Sequence, residues 1–199
     1  MPSNENFCLD LGLLIIYNSF NEAFSEELDL RIAVIYASVG GTTRECAELL
    51  KRELKMHDVE LFDMSGKEPT LSEYDMVVIG FPIRMGKMMK KARNYIKTHF
   101  DELMRCRVAY YICCGFVDCF EEYAEKTIPE LLRARAVTVD CLGGSLEPSR
   151  FKGFDRLVVK AVRSEILGGG ENGEQRSDMS LPTIMDENIS QFADKIKSV

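Results

Sequence analysis

The chain of 199 residues reads as an α/β protein built on a doubly wound, five-stranded parallel sheet with helices on both faces. Three features predict this. Five short apolar runs recur along the chain, and none alternates strictly between apolar and polar residues, as befits strands buried on both faces. Helix-period segments separate them, and parallel strands need such crossovers. Glycine-bearing loops follow the first, third and fourth runs, on the edge of a doubly wound sheet where ligands bind.

The elements follow in order. Residues 1–30 form an N-terminal extension with an apolar patch at 11–17 and an acidic end (Glu26, Glu27, Asp29). The domain proper spans 31–199. Its first strand is 32–37, followed by a helix over about 43–56, a short strand at 59–62 and a fully apolar strand at 76–81. A helix is expected over 87–100, then a strand at 108–114. The helical stretch 119–133 is interrupted at Pro129, which lacks an N–H. The fifth strand is 136–142. An insertion of about 145–182 holds an additional helix near 153–167 and the flexible loop "GGGENGEQRSD". A helix over about 185–198 closes the chain.

Composition bounds the function. Hydrophobic residues at 46% and charged residues at 29% are those of a soluble globular protein. A net charge of -7 argues against nucleic acid as a partner, because phosphate backbones demand a basic footprint. Seven cysteines, an odd number, sit within apolar runs, and the stretch 11–17 lacks a basic leader and is too short to span a membrane. A reduced, cytoplasmic protein with free thiols is expected.

The loop "YASVGGTTREC" (36–46) carries the clearest chemistry. A phosphate dianion bound without a metal needs converging backbone N–H groups and hydroxyl donors, and a loop entering a helix supplies both. Gly40 and Gly41 permit close backbone approach, while Ser38, Thr42 and Thr43 offer hydroxyls. Neither the nucleoside-triphosphate P-loop nor the G-x-G-x-x-G pattern is present. The loops "GFPIRMGK" (80–87) and "CCGFVDC" (113–119) converge on the same sheet edge, with Phe81, Met85 and Phe116 suited to a planar ring.

These residues resemble the flavodoxin family. Ser38, Gly41 and Thr43 match the S-x-x-G-x-T spacing of its FMN-phosphate loop, with Gly40 where a threonine is common. "YDMVVIGFPIRMGKM" and "GGSLEPSRFKGFDRLVVKAV" resemble the branch typified by menaquinone-dependent protoporphyrinogen IX dehydrogenases, over about 31–170. The resemblance implies FMN, the strand order 2-1-3-4-5 and two-electron redox chemistry. The expected site is Ser38, Val39, Gly40, Gly41, Thr42 and Thr43 at the phosphate. Phe81, Pro82, Ile83, Met85 and Gly86, with Cys114, Gly115, Phe116 and Asp118, are expected around the ring. Arg84 is the expected catalytic residue, stabilising the anionic reduced ring or holding a substrate carboxylate.

The expected function is an FMN-dependent oxidoreductase passing electrons from a small organic or porphyrinogen-like substrate to a quinone. The alternatives are a non-enzymatic flavodoxin-type carrier and a flavin-free binding domain on the same scaffold. Carrier flavodoxins surround their flavin with carboxylates, whereas here Arg84, Lys87, Lys90, Lys91, Arg93 and Lys97 load the third loop and its helix. Cys113, Cys114 and Cys119 lack the further ligands zinc requires, and His57 and His99 have no catalytic partner in sequence. On the helix 153–167, Lys152, Arg156, Lys160 and Arg163 share one face. Phe154, Leu157, Val158, Ala161 and Val162 share the other, which is expected to cover the sheet. The basic stripe predicts weak, salt-sensitive contact with anionic lipid surfaces.

Overall fold

The computed structural model describes residues 29–168 and 182–199. Residues 1–28 of the N-terminal extension and most of the glycine-rich loop lie outside the described residues. Five strands form the parallel sheet: β1 (Arg31–Tyr36), β2 (Asp58–Asp63), β3 (Met76–Arg84), β5 (Arg107–Cys113) and β6 (Val139–Cys141). Their order is β2-β1-β3-β5-β6. Numbered over the parallel strands alone, this is the expected 2-1-3-4-5.

Both faces of the sheet are covered, which explains why its strands do not alternate. On one face, Ile32, Val34, Met76, Val78, Ala109 and Tyr111 pack beneath α1 (Thr42–Glu53) and α7 (Asp186–Lys197). On the other, Ala33, Ile35, Val77, Ile79, Tyr110 and Ile112 pack beneath α2 (Lys90–Thr98), α4 (Phe120–Thr127) and α5 (Glu130–Arg135). The one-turn α3 (Phe100–Leu103) adds Leu103 to that core.

The break at Pro129 falls where expected, while boundaries differ at the third strand, at the helix expected from 119 and at the fifth strand, which is only Val139–Cys141. The third strand runs on to Arg84 and turns back as β4 (Lys87–Met88), so α2 starts at Lys90 rather than at 87. Met85 (φ 48°) and Gly86 (φ 70°) both take left-handed backbone, as a two-residue hairpin of this hand requires. The helical stretch around Pro129 is two helices, because Ile128 is extended (φ -95°, ψ 127°), as residues before proline prefer. The helix expected to start at 119 is preceded by a 3-10 turn, Val117–Cys119.

Gly80 shows how tightly the sheet is packed below the site. A Cβ there would lie 2.0 Å from Cζ of Tyr111. That ring is fully buried, and its hydroxyl donates a 2.9 Å hydrogen bond to the carbonyl of Thr43. One glycine thus makes room for the tyrosine that ties β5 to the first turn of α1.

Candidate functional site

A cleft opens at the carboxyl end of the sheet where the loops after β1, β3, β5 and β6 meet α6 (Gly153–Gly168). The loop after β1 forms one end. Gly41 is the N-cap of α1 with φ 87°, a conformation favouring glycine, and its N–H donates to Ser38 Oγ at 3.1 Å. The first-turn N–H groups that follow have no acceptor within the helix. Thr42 and Thr43 are buried beside them. This donor set, at a helix N-terminus, has the chemistry of an anion site.

Gly40 has a different neighbour from the one its sequence suggests. A Cβ at Gly40 would lie 2.7 Å from the ring of Phe151, so glycine here admits that phenylalanine against the loop. Phe151 in turn sits 5.9 Å beneath the Arg84 guanidinium. Arg84 Nη2 also pairs with Asp155 Oδ1, with both side chains about one-third exposed. The expected rim cation therefore reaches the cleft, but as half of an ion pair.

Of the expected site residues, Ser38, Val39, Gly40, Thr42 and Thr43 line the cleft, as do Pro82, Ile83, Arg84, Met85 and Gly86, and Cys114, Gly115 and Phe116. Three do not. Phe81 is fully buried in the core below, because the inward alternation of β3 turns it toward α2 and α4. Asp118 is exposed in the 3-10 turn outside the cleft. Gly41 contributes its backbone turn rather than lining.

One wall went unassigned from sequence. Phe151, Asp155, Val158, Val159 and Val162 line the cleft from α6 and the residues before it. Their signal was the i, i+3, i+4, i+7 spacing of 155, 158, 159 and 162, hidden because the helix carries a second apolar strip. Phe154 and Leu157, expected to cover the sheet, are instead 72% and 64% exposed, and Ala161 is exposed too. Arg163 leaves the expected basic stripe to meet Glu147 at 3.2 Å.

Two pairs of thiols underlie the cleft. Cys114 Sγ lies 3.4 Å from Cys141 Sγ, and Cys113 Sγ lies 3.7 Å from Cys46 Sγ. The hydrogen bond between Cys114 and Cys141, then burial, pushes the Cys114 thiol up; the same bond holds Cys141 below its ordinary value. Among the described residues no group of three or more His, Cys, Asp or Glu side chains could hold a metal ion.

A phosphate-type loop and an apolar cleft at the switch point of a 2-1-3-4-5 sheet define a flavodoxin-class domain. The chain matches the flavodoxin domain family over residues 33–172 and belongs to that family. It is 26% identical over 181 residues to protoporphyrinogen IX dehydrogenase (quinone) of Escherichia coli strain K12, across 84% of this chain and 94% of that enzyme. Two-electron reduced Megasphaera elsdenii flavodoxin shares the fold, with a TM-score of 0.50 at 11% identity over 84% of this chain and 99% of that chain. FMN-bound flavodoxin of Fusobacterium nucleatum gives a TM-score of 0.46 at 12% identity, over 85% and 98%.

Proposed function

We propose that the cleft binds FMN and that the protein is an FMN-dependent oxidoreductase of the flavodoxin family delivering electrons to a quinone. The observation that carries the reading is the cleft's two-ended character. One end offers hydroxyls and helix N-terminal N–H groups for a phosphate, and the other is apolar and bordered by Arg84. FMN supplies the two-electron chemistry when bound. Ser38, Thr42 and Thr43 would hold its phosphate, and Pro82, Ile83, Gly115 and Phe116 would border its ring. Arg84, steadied by Asp155, would offer its charge to an anionic group without reorganising at the moment of reaction.

An enzyme is favoured over a carrier because the described lining of the cleft carries no carboxylate rim. Asp155 is the one acidic residue among its described lining, and Arg84 takes that charge. The small-molecule donor is of the organic or porphyrinogen-like class. Exposed Phe154 and Leu157, with Lys152, Arg156 and Lys160 beside them, support weak peripheral contact of a cytoplasmic protein with anionic lipid, where a quinone resides. No described helix is long and apolar enough to cross a membrane.

The test is the absorbance spectrum of the purified protein followed by a turnover screen with reduced nicotinamides, protoporphyrinogen and quinones. Stoichiometric flavin and quinone reduction are expected. A colourless protein removes the FMN reading, and flavin without turnover of any substrate leaves a carrier.

A further inference from the structure

Four cysteines stand as two close pairs where the sheet meets the cleft. Cys113 and Cys114 are consecutive and belong to opposite cores, so each faces a different partner. Cys113 meets Cys46 of α1, with sulfurs 3.7 Å apart, and Cys114 meets Cys141 of β6, with sulfurs 3.4 Å apart. All four are buried, and Cys113 and Cys114 both line the cleft.

The pairs differ in chemistry. A thiolate is the nucleophilic form of sulfur, and only a thiol that yields its proton readily attacks another. Cys141 is favoured for that role: the hydrogen bond from Cys114, aided by backbone hydrogen bonds at Gly143 and Cys114, outweighs burial. In the other pair the hydrogen bond with Cys46 and burial push Cys113 well up. The pairs also differ in their place in the fold. Joining Cys114 to Cys141 means closing 3.4 Å to an S–S bond of about 2.0 Å, a movement of about 1.4 Å. Cys114 lies just past the end of β5, and Cys141 ends β6 immediately before Leu142, Gly143 and Gly144. Cys46, by contrast, is held inside α1.

We propose that Cys114 and Cys141 form a dithiol–disulfide couple that exchanges two electrons with the flavin of this cleft. The proposal rests on the FMN reading above. In one direction both S–H bonds break and one S–S bond forms, and two electrons and two protons pass to oxidised flavin. In the other, reduced flavin returns them and the disulfide opens.

The experiment is an anaerobic reductive titration of the oxidised holoprotein, with flavin absorbance and free thiols read together. Wild type is expected to take up four electrons per flavin and to gain two thiols. Cys114→Ser and Cys141→Ser are each expected to take up two electrons, while Cys46→Ser keeps four. Peptide mapping of the oxidised wild-type holoprotein, which needs no variant, is expected to find residues 114 and 141 cross-linked. Two electrons per flavin in wild type, with no cross-linked peptide, overturns the couple and leaves the FMN oxidoreductase standing. Protein without flavin overturns both.

Discussion

The cleft has one wall built into the core and one wall laid over it. The loop after β1 and the first turn of α1 rest on Thr42, Thr43, Cys46, Ala47 and Leu50, all buried, and Tyr111, on the sheet face beneath α1, donates to the carbonyl of Thr43. Opposite them, α6 is 16 residues long, yet among its described side chains only Val159 is buried. That wall is held largely by ion pairs: Arg84 with Asp155, Arg163 with Glu147, and just before it Arg150 with Glu45. Partly exposed pairs contribute about 0–1 kcal/mol each, whereas burying one large aliphatic side chain contributes about 1.5–3 kcal/mol. The end formed by the loop after β1 is therefore the firmly held one, and the α6 wall is the part that opens at low cost.

The largest effect should come from the fixed wall. Gly80→Ala places a Cβ 2.0 Å from the buried Tyr111 ring, and neither the ring nor the strand has room to yield. The expected cost is about 3 kcal/mol, a melting-point fall of about 6–12 °C for a chain of this size. Flavin content should fall with it, because the displaced ring loses its hold on α1. A melting point within two or three degrees of wild type would mean that this wall is looser than its packing implies.

Next comes Gly41, where the cost is conformational. Nothing lies within 4 Å of a Cβ at Gly41, but φ is 87°. Gly41→Ala should cost about 1 kcal/mol, whether drawn from folding stability or from flavin affinity, where it amounts to roughly fivefold. Equilibrium dialysis against FMN, paired with urea unfolding, separates the two. No change in either would show that the loop relaxes freely.

How much of this was legible in the sequence follows the same division. The five parallel strands and the Pro129 break could be read because two-sided burial and a missing N–H leave their marks locally. The turn 38–43 into α1 could be read because a left-handed entry to a helix calls for glycine, and hydroxyl residues beside it are visible locally. The hairpin at Met85–Gly86 was missed because a methionine at positive φ violates the residue preference that would announce it. Phe81 was misassigned because a wholly apolar strand gives no sign of which face each side chain takes. The α6 wall stayed hidden for a third reason: its contacts with Gly40 and Arg84 join residues more than 60 positions apart, and its outward apolar strip blurs the inward one.

The lightly held wall should answer to charge rather than to packing. Asp155→Asn removes the partner of Arg84 and should cost only about 0.5 kcal/mol of stability. Amide exchange in α6 should nonetheless quicken while exchange in α1 stays as it was. Arg84→Ala should keep FMN bound yet lower turnover about tenfold or shift the flavin potential negative, because a cation near the ring favours its anionic reduced form. Unchanged turnover and potential would confine Arg84 to pinning the wall.

The smallest effect concerns the outward surface of that wall. Phe154 and Leu157 are exposed on one strip of α6, and Arg156 and Lys160 flank it, with Lys152 just ahead of the helix. An apolar strip edged by cations is the pattern of a helix that rests at a lipid headgroup boundary. Each cation near an anionic surface contributes about 1 kcal/mol, and the net charge of -7 works against them, so attachment should be weak. Co-sedimentation with phosphatidylglycerol-rich vesicles is expected at low salt and lost at high salt, where screening shortens the reach of these charges. The Lys152→Ala, Arg156→Ala, Lys160→Ala triple variant should lose it at low salt as well. Arg163→Ala should change it little, because Arg163 is already paired with Glu147. If the wild-type protein stays in the supernatant at every salt concentration, the exposed strip is not a lipid contact. If Arg163→Ala weakens binding as strongly as the triple variant, attachment depends on how α6 is pinned rather than on the cations it presents.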